Sequence, residues 1–401
     1  MLKIGLILLL FIVLLAMRLP LYITLFAAAF LTGFQYLIMP EDFLRIFVST
    51  LSDRDVWELF IAIYLILFLA KLIEVYKVFP PVFNFLHQRL RDKRLIIPIF
   101  PSILGLLPML GGAVFSAPFV EEAGRNLTLE PEHKTFANYW FRHVWEFFFP
   151  LYSGVVMMVK ILGVPLWMIV KSQWYMTPIA LVYGVGYLFH FIKKQPPPDS
   201  DLGSEQAISG KQVLTAFFPF IVIVIGVFLK LDFVVLIALA TIPYAIWLTV
   251  KMKGSFWRVL YDSLEIKMAA LIVTVFFFKK TIELSGMAME FKVYSQNAGF
   301  SVELLLILLP FMIGLLTGVS NAFVGIGFPL LLPLLRQNGD VDFSRVLLAY
   351  VSGYGGVLCS PVHLCLILSN EYFGSRLHKV YPPVILGVAI LIGVALCRVL
   401  F

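Results

Sequence analysis

About ten apolar runs, each near the length of a membrane-crossing helix, constrain this chain more than any other feature. They cover about 2–17, 19–39, 56–78, 136–160 and 174–192, then 213–230, 232–250, 263–285, 344–368 and 380–400. A bilayer core about 30 Å thick takes roughly 20 apolar residues of helix to cross. The pattern therefore predicts an all-α polytopic membrane protein. Composition closes off the alternatives. Of 401 residues, 61% are hydrophobic and 14% charged, against roughly 45–50% and about 25% in soluble domains. A soluble fold would have to hide more apolar surface than its volume allows. The same figures exclude disorder, collagen, coiled coil and a disulfide scaffold. The net charge of +7 contains no long Lys/Arg block, so no nucleic-acid partner is expected and membrane lipid is. Cys359, Cys365 and Cys397 lie in apolar segments without CxxC spacing and read as small buried hydrophobes. The N-terminal run resembles a signal peptide, but no small-x-small cleavage site follows it, and it reads as a retained first span.

Two further apolar stretches, 96–122 and 302–336, are broken in the middle by Gly, Pro, Ser or Asn and do not read as clean spans. The one stretch that looks like a linker is 193–211, with Pro196-Pro197-Pro198, Asp199, Asp201 and Gly203. The chain repeats itself across it. At an offset of 209, Phe47, Leu51 and Asp53 match Phe256, Leu260 and Asp262, and Lys71 and Glu74 match Lys280 and Glu283. Pro101 and Gly105 then meet Pro310 and Gly314, and after a two-residue slip Tyr139 and Pro150 meet Tyr350 and Pro361. The order of these polar and special residues predicts an internal duplication. Residues 1–192 form a first repeat with five spans and hairpin 96–122; 212–401 form a second with five spans and hairpin 302–336. An odd number of crossings inverts the second repeat, the plan of secondary transporters. Basic loops (Arg89, Arg91, Lys93, Arg94, Lys193, Lys194, Lys251, Lys253, Arg258, Arg376, Lys379) oppose acidic ones (Glu41, Asp42, Asp53, Asp55, Asp340, Asp342). The positive-inside rule then puts the linker in the cytoplasm and both termini outside a prokaryotic cell membrane.

Non-helical backbone cannot face lipid, so the two broken stretches are expected to be buried or to line a wet cavity. In the first, Pro108 and Gly111-Gly112 permit a turn and Ser116 can re-pair freed backbone. In the second, Thr317, Gly318, Ser320 and Asn321 form a polar tip. Helix ends meeting at such tips offer N–H groups to an anion and carbonyls to a cation. In 138–150, Asn138, Arg142 and Glu146 recur every four residues and share a helix face, with His143 beside them. Arg142 suits a carboxylate or phosphate, because its fork binds two oxygens. Glu146 either takes up a proton or merely locks Arg142 in a static pair. The repeat-matched segment holds Ser352, Tyr354 and Ser360, with Gly353, Gly355, Gly356 and Pro361 predicting local unwinding. His363 reads as structural. Lys71/Glu74 and Lys280/Glu283 read as i,i+3 scaffold clamps, and 83–95 as a basic interfacial segment.

Residues 106–118 and 138–146 resemble segments of the ion transporter superfamily, which includes citrate, gluconate and sodium–dicarboxylate carriers. Within it, they most resemble an uncharacterised prokaryotic family. The resemblance implies paired hairpin tips that hold carboxylate and sodium, and a homodimer working by an elevator motion. Ser320-Asn321-Ala322 keeps two residues of the dicarboxylate carriers' Ser-Asn-Thr, whereas Gly111-Gly112-Ala113 departs from it. The expected function is an ion-coupled secondary transporter of a small organic anion, with no cofactor and no metal beyond Na+ as a coupling ion. Asn138, Arg142, His143, Gly111, Gly112, Ser116, Ser320, Asn321, Ser352 and Tyr354 are the expected substrate contacts. Glu146, Thr317, Ser320, Asn321 and Ser360 are the expected coupling residues for Na+ or H+. Alternatives are a sodium/proton antiporter, a lipid or isoprenoid-phosphate carrier and, less well supported, a membrane-embedded enzyme, for which neither HExxH nor GxSxG is present.

Overall fold

A computed structural model describes residues 2–90, 92–109, 111–125, 127, 129–192 and 210–401. The expected linker, except 210 and 211, and the basic positions Arg91, Lys193 and Lys194 lie outside the described residues. The first half runs α1 (Leu2–Ala16), α2 (Leu21–Gln35), α3 (Pro40–Leu51), α4 (Arg54–Val75), α5 (Pro80–Arg89), α6 (Ile96–Leu104) and α7 (Ala113–Gly124). It continues through α8 (Pro131–Arg142), α9 (Ser153–Leu162), α10 (Leu166–Gln173) and α11 (Met176–Phe191). The second half opens with α12 (Gly210–Phe228), α13 (Phe233–Lys251), α14 (Phe256–Asp262), α15 (Ile266–Ser285), α16 (Met287–Asn297) and α17 (Val302–Thr317). Then come the short α18 (Ser320–Ala322), a π-helical turn (Phe323–Gly327) and α19 (Phe328–Leu331). A two-residue ladder, β1 (Arg336–Gln337) with β2 (Asp340–Val341), precedes α20 (Phe343–Cys359), α21 (Leu364–Phe373) and α22 (Leu377–Leu400).

Local chemistry sets the ends. Asp232 caps α13 by accepting from the N–H groups of Val234 and Val235, and Asp342 caps α20 through Ser344 and Arg345. Gly163, Gly318 and Gly374, all at positive φ, close α9, α17 and α21.

Five segments are long and apolar enough to cross a membrane: Arg54–Val75, Gly210–Phe228, Phe233–Lys251, Phe343–Phe373 and Leu377–Leu400. Ser153–Leu162 with Leu166–Phe191 makes a sixth if that pair, bent by 116°, is one span. An all-helical chain with several such helices is the architecture of a membrane protein. The difference from ten expected spans has local causes. Helices α1 and α2 stop after 15 residues each, which is about 22 Å of helix. Helix α15 carries Lys267, Lys279, Lys280 and Glu283. The expected span 136–160 is two helices, α8 and α9, separated by ten turn and coil residues, 143–152.

Packing crosses between the halves: α2 lies on α15 and α13 on α4, while α1 packs on α2 and α12 on α13. Polar ties reinforce it. Lys280 pairs with Asp53 at 2.8 Å and bonds the carbonyl of Ser49, so it joins the halves rather than clamping Glu283, which sits 3.9 Å from Lys279. Lys71 and Glu74 do form the expected i,i+3 pair, at 3.2 Å. Burial raises the Asp53 carboxyl, but its hydrogen bonds from Lys280 and the Asp55 N–H, with the charges of Lys280 and Lys279, leave it below the ordinary range. Lys160 reaches from α9 to Asp55 (2.9 Å) and Glu58 on α4.

Candidate functional site

Two helices end in the interior and turn their ends toward each other. Helix α8 stops at Arg142, and residues 143–152 run as turns until α9 resumes at Ser153. Pro150 disfavours helix at its predecessor and contributes no N–H. In the second half, α20 stops at Cys359, and 360–363 separate it from α21, with Pro361 in the equivalent place. Unwinding is thus confined to 360–363. Gly353, Gly355 and Gly356 stay inside α20, contrary to expectation, because all three serve close packing: a Cβ would strike Phe323 at Gly353 and Val388 at Gly355. A Cβ on Gly356 would strike the carbonyl of Phe311 in α17, and one on Gly314 would strike the carbonyl of Gly353. Small residues here let two backbones touch.

Freed carbonyls in the first break find hydroxyl partners on the other half. Tyr354 Oη donates to the His143 carbonyl at 2.8 Å and Tyr350 Oη to the Glu146 carbonyl at 2.9 Å. Tyr139 Oη returns the tie, donating to the Leu358 carbonyl at 2.9 Å. Thr177 Oγ1 donates to Val144, and Tyr152 Oη to Gly105 in the first tip. Interior non-helical backbone is tolerated only when satisfied in this way.

Both interrupted stretches turn at the expected places. The first tip, described at 105–109 and 111–112, joins α6 to α7, which pack on each other. The second, Gly318-Val319, joins α17 to the α18–α19 limb, which lies back on α17. Gly105 sits against the Arg142 carbonyl, and Gly112 lies directly under the Arg142 guanidinium, where a Cβ would collide with it. Arg142 is only 3% exposed. Its Nη2 reaches the Met109 carbonyl at 3.4 Å, and its Nη1 is buried with no hydrogen-bond partner among the described residues.

The expected static Arg142–Glu146 pair is not formed among the described residues, and the shared helix face does not exist, because the helix ends at Arg142. Glu146 instead accepts from Ser320 Oγ at 3.2 Å, and its other oxygen lies 3.8 Å from His143 Nε2. Asn321 accepts from Ser153 Oγ at 2.9 Å. His143 Nδ1 meets the Tyr139 carbonyl at 2.6 Å and its Nε2 meets His363 Nε2 at 3.0 Å; His363 Nδ1 meets the Gly318 carbonyl at 2.8 Å. The two tips are thereby linked through Arg142, His143 and His363.

Other expected residues fall beside this chain of contacts. Asn138 spends its amide N–H groups on the Ala113 carbonyl (3.0 Å) and Ser369 Oγ (2.8 Å), pinning α7 to α21. Ser116 bonds back to Gly112 and Ala113, as expected, and Thr317 to Ile313. Ser360 accepts from the Val362 N–H within the second break, Ser352 Oγ is buried without a partner among the described residues, and Gly111 turns at φ +66° against Leu368. His363 and Cys365 were not picked out as functional. With His143, they place one ligand-type atom each within 4.8 Å of one another, and the His-x-Cys spacing was the available signal. The N-terminal end of α8 is held by Glu132, paired with Arg376 at 2.8 Å, and by Thr135 Oγ1 to Ser375 Oγ at 2.7 Å. The Arg376 guanidinium outweighs burial and holds the Glu132 carboxyl below the usual range.

The chain belongs to the family described as protein of unknown function (DUF401), which matches residues 3–400. No curated protein matches it.

Proposed function

We propose that this protein is an ion-coupled secondary transporter of a small organic anion, a carboxylate, carried without chemical change. One observation bears the reading: the Arg142 guanidinium is buried, faces a backbone tip cleared of side chains by Gly112, and has an unpartnered Nη1 among the described residues. A buried charge without a partner is costly, whereas a bidentate anion would satisfy it. Gly111 and Gly112 form the floor of the anion site, and the break at 143–152 supplies its wall. Glu146 and Ser320 offer oxygens to the co-transported Na+ or H+ on the second-tip side.

The finer architecture belongs to the same reading. Elements α1–α11 and α12–α22 run in the same order, each with a tip and a Pro-containing break, and the halves pack reciprocally. This supports an inverted repeat with the two tips entering from opposite faces, and the basic loops favour both termini outside the cell membrane. An elevator motion of a homodimer follows from the superfamily resemblance. The reading is tested by thermal stabilisation of the purified protein across a panel of carboxylates and phosphates, with and without Na+, at two pH values. A carboxylate should stabilise the wild type and lose its effect in Arg142→Ala. Stabilisation that survives in a folded Arg142→Ala protein would overturn the assignment.

A further inference from the structure

The facing histidines carry a second inference. A backbone carbonyl can only accept a hydrogen bond, so the contacts of His143 Nδ1 with Tyr139 O and of His363 Nδ1 with Gly318 O each require a proton on Nδ1. In neutral rings both Nε2 atoms then carry lone pairs, and these face each other at 3.0 Å. Two lone pairs so placed repel unless a positive centre lies between or beside them. The Cys365 sulfur completes a group whose ligand atoms all lie within 4.8 Å, and Cys365 is 8% exposed. One Glu146 oxygen lies 3.8 Å from His143 Nε2.

We infer that His143 Nε2, His363 Nε2 and Cys365 Sγ bind one thiophilic transition-metal ion of the zinc class, with the fourth position left open. Zinc–nitrogen bonds of about 2.0–2.1 Å at the tetrahedral angle would set the two nitrogens about 3.3 Å apart, a parting of about 0.3 Å, and a zinc–sulfur bond of about 2.3 Å would draw the sulfur to about 3.6 Å from each nitrogen, inside the 4.8 Å spread of the group. Both Nδ1–H groups already donate to carbonyls, the outer support that fixes the tautomer and ring orientation of metal-bound histidines. The charged and titratable groups facing the cluster are Arg142, Glu146, Tyr139 and Tyr354. The Cys365 thiolate would offset half of the ion's charge, while Glu146 stays with Ser320 on the second-tip side. The ion would also fasten the second tip to the first break, since His363 is bonded to Gly318 and His143 follows Arg142.

The test is metal binding rather than transport, so it can fail independently of the anion assignment. Full-length protein purified in detergent with chelator is titrated with Zn2+ and with Co2+, whose thiolate charge-transfer band reports sulfur ligation. The expected result is one ion per chain and a thiolate band that vanishes in Cys365→Ser but persists in Cys359→Ser and Cys397→Ser. His363→Ala should weaken binding by more than the about 10–100-fold that a supporting residue costs. Size-exclusion behaviour checks folding, and Cys365→Ser, a nearly isosteric change, guards against loss by misfolding. No bound ion in the wild type, or a thiolate band retained in Cys365→Ser, would overturn the inference and leave a shared proton between the rings.

Discussion

Arg142 is held by its neighbours' lack of side chains as much as by its own contacts. The two nearby glycines should respond differently to the same substitution. At Gly112 the added Cβ meets the far end of the Arg142 side chain, which can swing aside. Gly112→Ala should therefore fold, yet weaken anion stabilisation about 10–100-fold, the range for a lost hydrogen bond to a charge. At Gly105 the Cβ meets the Arg142 carbonyl, a backbone atom that cannot move alone. Gly105→Ala should cost about 1–3 kcal/mol of stability. Parallel thermal melts and ligand titrations of the two variants separate the effects. Equal loss of folding in both would show that Gly112 serves packing only.

At the scale of elements, the breaks in α8–α9 and α20–α21 depend on hydroxyls from the opposite half. Tyr354→Phe removes the donor to the His143 carbonyl and Tyr350→Phe the donor to Glu146 O, each leaving a carbonyl unsatisfied. Each change should destabilise by about 1–3 kcal/mol, read as a lowered melting temperature in detergent. An unchanged melt in both would mean that water serves these carbonyls. Part of this was legible in sequence: Pro361 marked the second break, and Gly111-Gly112 and Gly318 both tips, since backbone limits act locally, whereas 136–160 reads as one span despite Pro150. The end of α8 at Arg142 was not, because a helical i,i+4 pattern continues to Glu146 and only the tertiary bonds of 143–152 override it. Nor could the glycines of α20 be assigned to packing before α17 was seen beside them. His363 and Cys365 became visible only when a partner 220 positions away in sequence, His143, came to 3.0 Å.

The whole molecule is also tied by ion pairs between elements distant in sequence. Glu132 and Arg376 join the start of α8 to the turn before α22. Because the folded Glu132 carboxyl titrates below its ordinary value, the pair's contribution is full above that value and disappears as pH falls through the lowered one. Glu132→Gln should lower stability at neutral pH and flatten its acid dependence. With Arg376 60% exposed and screened by solvent, the effect should be about 1 kcal/mol. A pH series of melts on both proteins checks the sign; an unchanged acid limb in the variant would contradict it.

Carriage of an anion through the Arg142 site is tested most directly in proteoliposomes that hold an imposed Na+ or proton gradient. The stabilising anion should accumulate inside chemically unchanged, only while a gradient lasts, and not at all with Arg142→Ala. Equal accumulation by that variant, or recovery of a chemically altered solute, would contradict the account.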